Sequence, residues 1–430
     1  MTTLQSARPP APHALFHLSR EQLLHDLYRA YRRARLHKAC TADQQEFELN
    51  LESELVSLTN ELHSRTYHPR PGICFIIRDP KQREVFAAHF RDRVVHHLYY
   101  EYTHSLFERT FIADTYSCID GRGTHFGIHR LEHHIRSVSQ NYRRPCYVLK
   151  VDVKGYFMHI NRERLYQICM ETLDKMRSRE IGSYAAKPHS PIGGNKPWEA
   201  EHDYELVSYL TKIFTLHNPI ADSRRRGSAE NWRGLPPSKS LFFSPEGCGL
   251  PIGNLTSQLF SNVYMNRFDQ FCKRQLHCRH YGRYVDDAFV VSEDREWLRS
   301  LVPLMRRFLK DELHLQLHPD KVRINSSLLG VAFLGAYLKP WRTYVNSDTA
   351  RRIRKKVRML DTELCSPQRL RSAMSSFAGV FSHWKSWQVC EKALCASNPA
   401  LLRKGYFTKG MKRWHPYRSV WARWIASFKC

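Results

Sequence analysis

The chain has 430 residues, 42% of them apolar, and carries 67 Lys and Arg against 41 Asp and Glu, a formal net charge of +26. That length suits two or three domains or one multi-lobed unit. No run approaches the ~20 apolar residues of a membrane span, and no apolar signal core is read near the start, so a soluble cytoplasmic protein is expected. The basic excess implies a polyanionic partner, bound by phosphate neutralisation and counterion release. Its spread along the chain, without a lipid-anchor motif or a single basic amphipathic helix, favours nucleic acid over a membrane. The 12 cysteines include no C-x-x-C pair and read as reduced thiols.

In chain order, residues 1–20 read as flexible. Apolar residues at three- and four-residue spacing in "EQLLHDLYRAYRRAR" and "FELNLESELVSLTNELHSR" predict helices across 21–67. "YHPRPGICFIIRDPKQREVFAAHF" predicts an extended segment, a turn at Asp79-Pro80 and a second extended or loop segment. "FRDRVVHHLYYEYTHSLFERTF" predicts a helix, and "DGRGTHFG" (120–127), lacking the Walker spacing, a loop. "CYVLKVDVKGYF" (146–157) predicts a strand ending at Gly155. Residues 177–247, rich in Arg, Ser, Pro and Gly, predict an insertion around one helix near 203–217. There follow a long helix over 255–276, a strand, tight turn and strand over 280–292, an amphipathic helix over 296–313, further short strands, and a basic helical tail from about 346. Trp384, Trp387, Trp414, Trp421 and Trp424 are expected in helix core in that tail. His96-His97 and His133-His134 lie in helical stretches without Cys or acidic partners at metal spacing, so no metal is assigned to them.

Adjacent aspartates in "YVDDAFVV" (284–291) are out of place in an apolar strand, because a buried unpaired carboxylate is costly and neighbours repel. A hairpin turn at Val285 and Asp286 resolves this by projecting both carboxylates from its tip, as ligands for a hard divalent cation. Asp152 is a second poor strand former in an apolar strand. If the two strands are neighbours, three carboxylates converge in a basic protein, an arrangement that suits two metal ions. Alternatively, Asp152 caps a following helix and the two stretches are unrelated.

The order "VDVKGYF", "GLPIGNLTSQLFSNVYMNRFDQF", "YVDDAF", "LHPDK", "FLGAYL" resembles the palm of a reverse transcriptase, over about residues 78–340. The resemblance implies an α+β right-hand polymerase: fingers over 21–145, a palm of antiparallel sheet and helices over 146–340, and a basic helical thumb over 341–430. It implies catalytic roles for Asp152, Asp286 and Asp287, with these and Val153 holding two Mg²⁺ ions, or Mn²⁺. It places Lys81, Arg83, Phe157, Ile252, Gly253, Gln258 and Lys321 around the incoming dNTP. Lys81 and Arg83 would take the triphosphate, Phe157 would exclude a ribose 2′-hydroxyl, and Lys321 would give a proton to the leaving pyrophosphate. Phe333, Leu334 and Gly335 would form the primer grip. Plainer readings stand beside these: a core Phe157, solvated Lys81, Arg83 and Lys321, and a buried strand at 333–338.

Many reverse transcriptases carry Gln where this chain has Ile252. The apolar form, with Gly-x-x-x-Ser-Gln after it and "GLPPSKSLF" at 234–242, resembles diversity-generating retroelement enzymes, which implies low fidelity at template adenines. The implied partners are template RNA, primer, cDNA product and dNTPs, with a small basic accessory protein or a cognate noncoding RNA as further candidates and no membrane. Competing readings are an antiphage defence reverse transcriptase, a group II intron maturase, and a catalytically silent RNA-binding protein on a polymerase scaffold.

Overall fold

The computed structural model describes residues 18–36, 41–78, 81–186, 203–221, 223–360, 365–384, 394, 398–408 and 413–420. Most of the 1–20 stretch, the Asp79-Pro80 turn, residues 187–202 of the insertion, and Trp387, Trp421 and Trp424 lie outside the described residues.

The elements run α1 Arg20–Arg35, α2 Ala42–Leu49, α3 Leu51–His63, β1 Ile73–Ile77, β2 Arg83–Ala87, α4 Phe90–Glu108, α5 Thr124–Val138, β3 Tyr147–Asp152, α6 Tyr156–His159 and α7 Arg162–Ala186. They continue with α8 Tyr204–Leu216, β4 Arg224–Arg225, α9 Leu255–Gln270, β5 Tyr281–Tyr284, β6 Asp287–Ser292, α10 Arg295–Leu313, β7 Arg323–Ser326, β8 Val331–Phe333, β9 Ala336–Lys339 and β10 Arg342–Val345. The last are α11 Ser347–Arg358, α12 Pro367–Ser382, α13 Ala400–Lys404, β11 Gly405–Phe407 and β12 Trp414–Pro416. Side chains set several starts: the Ser19 hydroxyl accepts from Gln22 N at 3.1 Å to open α1, and the Asp203 carboxylate accepts from Leu206 N at 2.9 Å to open α8.

The expected α+β class is observed, with sheets ordered β2-β1-β4, β10-β9-β8, β11-β12 and β5-β6-β3-β7. Pairing is antiparallel in the hairpins and parallel between β1 and β4. The chain divides into two compact units, one of Met1–Gly123, Val151–Ala288 and Leu301–Val322, the other of Thr124–Lys150, Phe289–Ser300 and Arg323–Cys430. In the first, α1, α3 and α4 pack on a core that includes Leu23, Leu27, Leu58, Phe90, Val94 and Leu98. The core of the second gathers Ile353, Val357, Leu370, Met374, Phe381, Leu401 and Trp414.

Three expectations need correction. The 120–127 loop is half helical, because α5 begins at Thr124. The 255–276 helix is α-helical only to Gln270 and ends in a π-helical turn at Phe271–Gln275. The basic tail is not all helix: Gly405–Phe407 and Trp414–Pro416 pair as a hairpin, and Trp414 is buried on a strand. Short strands of three residues lie below the length at which alternation is readable. The eight cysteines among the described residues are free.

Candidate active site

The strand that carries Asp152 lies beside the strand that carries Asp287, because β3 and β6 are neighbours in their sheet. Asp152 does not cap the next helix: the N-cap of α6 is Gly155. Beyond β3 the chain is tied to residues 316–318. Lys154 N donates to Gln316 O at 2.8 Å, Val153 bridges Leu317, and His318 N donates to Asp152 O at 2.7 Å. This pairing delivers Lys321, on the turn that follows, to Asp152. Its ammonium lies 2.9 Å from Oδ1 and 3.0 Å from Oδ2.

The turn expected at Val285 and Asp286 is observed. Val285 has φ +56°, a strained value for a β-branched residue. Its amide donates to Ser117 Oγ at 3.2 Å and its carbonyl accepts from Arg283 Nη1 at 2.8 Å. Arg283 is fully buried and pairs with the equally buried Asp269 on α9, Nε to Oδ1 at 2.8 Å and Nη2 to Oδ2 at 2.7 Å. The Tyr281 hydroxyl donates to Asp269 Oδ1 at 2.6 Å, and Asn262 Nδ2 donates to the Ser117 carbonyl at 2.7 Å. The strained turn therefore rests on a fully satisfied polar network, which makes a buried charge pair tolerable.

Asp286 is half-buried in the turn and Asp287 opens β6. Burial pushes the Asp286 carboxyl up to about 6. The charges of Asp152 and Asp287 push the same way, against its own backbone amide and the Lys321 ammonium. Carboxylates from distant stretches thus act on one another. Among the described residues, no three His, Cys, Asp or Glu side chains are grouped closely enough to hold a metal by themselves. Mg²⁺ binds through one or two carboxylates plus waters and substrate phosphates, without a full protein cage. Asp152 and Asp286, hard oxygen donors whose repulsion a cation relieves, fit that ion. The Val153 side chain is apolar and buried, which leaves only its backbone as a donor.

A second group gathers on β2. Lys81 and Arg83 are exposed at its start. Between them Gln82 donates to the carbonyls of Asn231 and Arg233 at 3.0 and 3.1 Å. Next to them the buried Glu84 accepts from Trp232 Nε1 at 2.8 Å, Leu241 N at 2.7 Å and the Ser240 hydroxyl at 3.1 Å. Phe86 N donates to Ile252 O at 2.8 Å. Gly253 has φ +133°, and a Cβ there would meet Phe86 O at 2.5 Å, so backbone approach requires glycine. Phe157 and Ile252 pack against one cluster of Cys74, Phe86, Met158 and Leu241. Leu250 N donates to Phe157 O at 2.8 Å. Gln258 is exposed on the first turn of α9. Burial pushes the Tyr284 hydroxyl pKa up and the Arg83 charge opposes the rise, which puts the start of β2 within electrostatic reach of the turn.

Phe333, Leu334 and Gly335 belong to the second unit, where they form the turn of the β8–β9 hairpin. Leu334 and Gly335 have φ +47° and +87°. Phe333 is buried edge-on against Phe289, ring centroids 5.3 Å apart.

Sequence reasoning misses Arg283, Asp269, Ser117 and Asn262 under the turn, and Glu84 beneath β2. The available signal was a charged residue inside an apolar element: Arg283 one position before Tyr284, and Asp269 in "NVYMNRFDQF".

No curated protein sequence matches the chain. Among solved structures, it is similar to telomerase from Candida albicans in complex with the TWJ fragment of telomeric RNA (TM-score 0.44, 10% identity, 81% of this chain and 61% of that one). It is also similar to apo telomerase from Candida tropicalis (TM-score 0.44, 10% identity, 76% and 57%). A form of the latter truncated from the C-terminal domain matches as well (TM-score 0.41, 11% identity, 68% and 60%). The chain spans about three fifths of the length of these telomerase chains. Its helices and antiparallel sheets fit the right-hand polymerase class. Residues 227–338 match the family model "Reverse transcriptase (RNA-dependent DNA polymerase)". The stretch that holds Ile252, Gly253, the Asp286 turn, Lys321 and the β8–β9 turn is therefore similar to a reverse transcriptase domain.

Proposed function

We propose that this chain is an RNA-directed DNA polymerase. The observation that carries the reading is the convergence of Asp152 and Asp286. They come from separate stretches of the chain, neighbouring strands β3 and β6 bring those stretches together, and the charge of Asp152 adds to burial in raising the Asp286 carboxyl. Divalent cations bound there, Mg²⁺ or Mn²⁺, would activate the attacking 3′-hydroxyl and stabilise the leaving pyrophosphate. Asp152, Asp286 and Asp287 supply the negative charge that holds them. Lys81 and Arg83, exposed at the start of β2, take the triphosphate. Phe157, fixed on the cluster it shares with Ile252, limits the room beneath the sugar. Lys321 holds Asp152 in the free protein and carries a proton toward the pyrophosphate during reaction. The fingers, palm and thumb proposed with this activity are residues 21–145, 146–340 and 341–430, and the partners are template RNA, primer and dNTPs.

We further assign the enzyme to the diversity-generating retroelement type, with relaxed discrimination at template adenines. Ile252 supports this: its side chain packs on apolar neighbours and offers no polar contact to a nascent pair.

Primer extension on an RNA template with Mg²⁺ tests the activity. Asp152→Ala and Asp286→Ala each abolish extension and leave RNA binding nearly unchanged; wild-type extension by either variant overturns the assignment. Ile252→Gln lowers misincorporation opposite adenine, and an unchanged error spectrum removes the subgroup while leaving the polymerase.

A further inference from the structure

The insertion adds a strand to the β1–β2 hairpin. Its Arg224 and Arg225 pair in parallel with Ile73 and Cys74. Arg224 N donates to Gly72 O and Arg226 N to Cys74 O, both at 2.8 Å. Side chains alternate across a sheet, so the register sorts these arginines by face. Arg225 falls on the face of buried Cys74, where its guanidinium lies over Phe242, 3.9 Å from the ring centroid. That contact anchors the strand. Arg224 and Arg226 fall on the opposite face with Ile73, Phe75 and Ile77, and with Arg83 and Val85 of β2 across the register.

This outer face is unusual for a sheet surface. Ile73 and Ile77 are exposed apolar residues, and Arg226 lies over Phe75 at 4.8 Å. Arginines flank the strip on both sides. A hollow at its edge is lined by Arg70, Arg93, Arg224 and His89 together with Asp43, whose carboxylate is already held by Arg93 and by Phe90 N. Burial lowers the His89 pKa. No ion pair to Arg224 or Arg226 occurs among the described residues.

We propose that the outer face of β2-β1-β4 binds an unpaired RNA strand, with Arg224 and Arg226 of the insertion neutralising two of its phosphates. The face begins at Arg83, so the strand it holds leads to the candidate nucleotide site. The proposal deepens the polymerase reading by giving the insertion a partner, and it rests on that reading only for the identity of the strand as template.

The test is equilibrium binding of a fluorescent oligouridylate to the full chain across a salt series, without dNTPs or divalent metal. Each phosphate neutralised on a single strand contributes about 0.7 to the slope of log K against log salt, so Arg224→Ala with Arg226→Ala lowers the slope by about 1.4. Arg224→Lys with Arg226→Lys retains the slope, which separates charge loss from unfolding. The matched control is Arg306→Ala with Arg307→Ala, an exposed pair on α10 with no assigned role. An unchanged slope in the first variant, or an equal fall in the control, overturns the proposal. Its outcome is independent of catalysis: a slope change in a chain that never extends a primer keeps the surface and removes the polymerase.

Discussion

Arg283 and Asp269 form a two-pronged ion pair in which neither side chain reaches solvent, and the third guanidinium nitrogen holds the carbonyl of Val285. The pair fixes the position of the residue before Asp286. Arg283→Met strands a buried carboxylate and lowers unfolding free energy by about 3–5 kcal/mol. Arg283→Met with Asp269→Leu removes both charges and recovers most of that loss. Chemical denaturation of the two variants gives the comparison. The double variant still extends primers slowly, because Val285 has lost its donor. Full activity in it would show that the pair serves folding alone.

Lys321 and Asp152 meet at the surface, with the lysine side chain 53% exposed. Exposed pairs contribute about 0–1 kcal/mol, so Lys321→Ala barely changes the denaturation midpoint. A proton donor contributes about 10²–10⁴ in rate, and primer extension falls by about that much with little change in dNTP KM. Equal small effects on both would remove the catalytic role.

Gly253→Ala sets a Cβ 2.5 Å from Phe86 O and 2.9 Å from Val85 Cγ1, at φ +133°. Gly247 also has positive φ, +68°, with open space around it. Both positive φ values strain a side-chain-bearing residue, at about 1–3 kcal/mol, while the clash with β2 belongs to Gly253 alone. Gly253→Ala is therefore the more destabilising in a side-by-side melt. It also weakens dNTP binding by moving the 249–254 segment from β2; equal melts and equal KM would contradict this.

Asp92 and His96, one turn apart on α4, are both buried and titrate in opposite senses. The Asp92 carboxyl is pushed up from 3.8 to about 6 by burial, against the Tyr67 hydroxyl, Arg70 N–H and the charge of Arg91. The His96 imidazole is pushed down from 6.5 to about 3 by burial and by neighbouring cations. A raised acid binds its proton more tightly when folded. Its contribution is full below about 4 and lost as pH rises through about 6, some 3 kcal/mol in all at 1.36 kcal/mol per unit. His96 has the reverse effect, losing stability as pH falls below about 6.5. Total stability mixes the two, so the measurement is the difference between wild type and Asp92→Asn. That difference falls by about 3 kcal/mol between pH 4 and pH 7.5; a pH-independent difference would refute the assignment.

The turn at Val285 and Asp286 was legible because two like charges inside an apolar run fit a solvent-facing tip far better than a buried strand. The adjacency of β3 and β6 was posed by Asp152 in a second such run, and the sheet order answered it. The pairing beneath was not legible: Arg283 and Asp269 each stand out as a charge within an element, yet nothing in either stretch says that they meet until the fold brings the strand against α9. Glu84 was invisible for the same reason, since its partners Trp232, Ser240 and Leu241 lie in the insertion. Periodicity reports which face of an element is buried, and it carries no information about which distant polar groups meet there. The β11–β12 hairpin was missed because its strands are three residues each.

Strand β2 also imposes an order in time. Its Glu84 and Phe86 find their partners at 232–252, about 150 residues downstream. At about 5–20 residues per second, a ribosome needs roughly 7–30 s to supply them. Throughout that interval Glu84 is a carboxylate waiting beneath an uncovered hairpin, and closing so long a loop is slow in its own right. The part of this chain nearest the candidate nucleotide site is thus the part that a growing chain completes late.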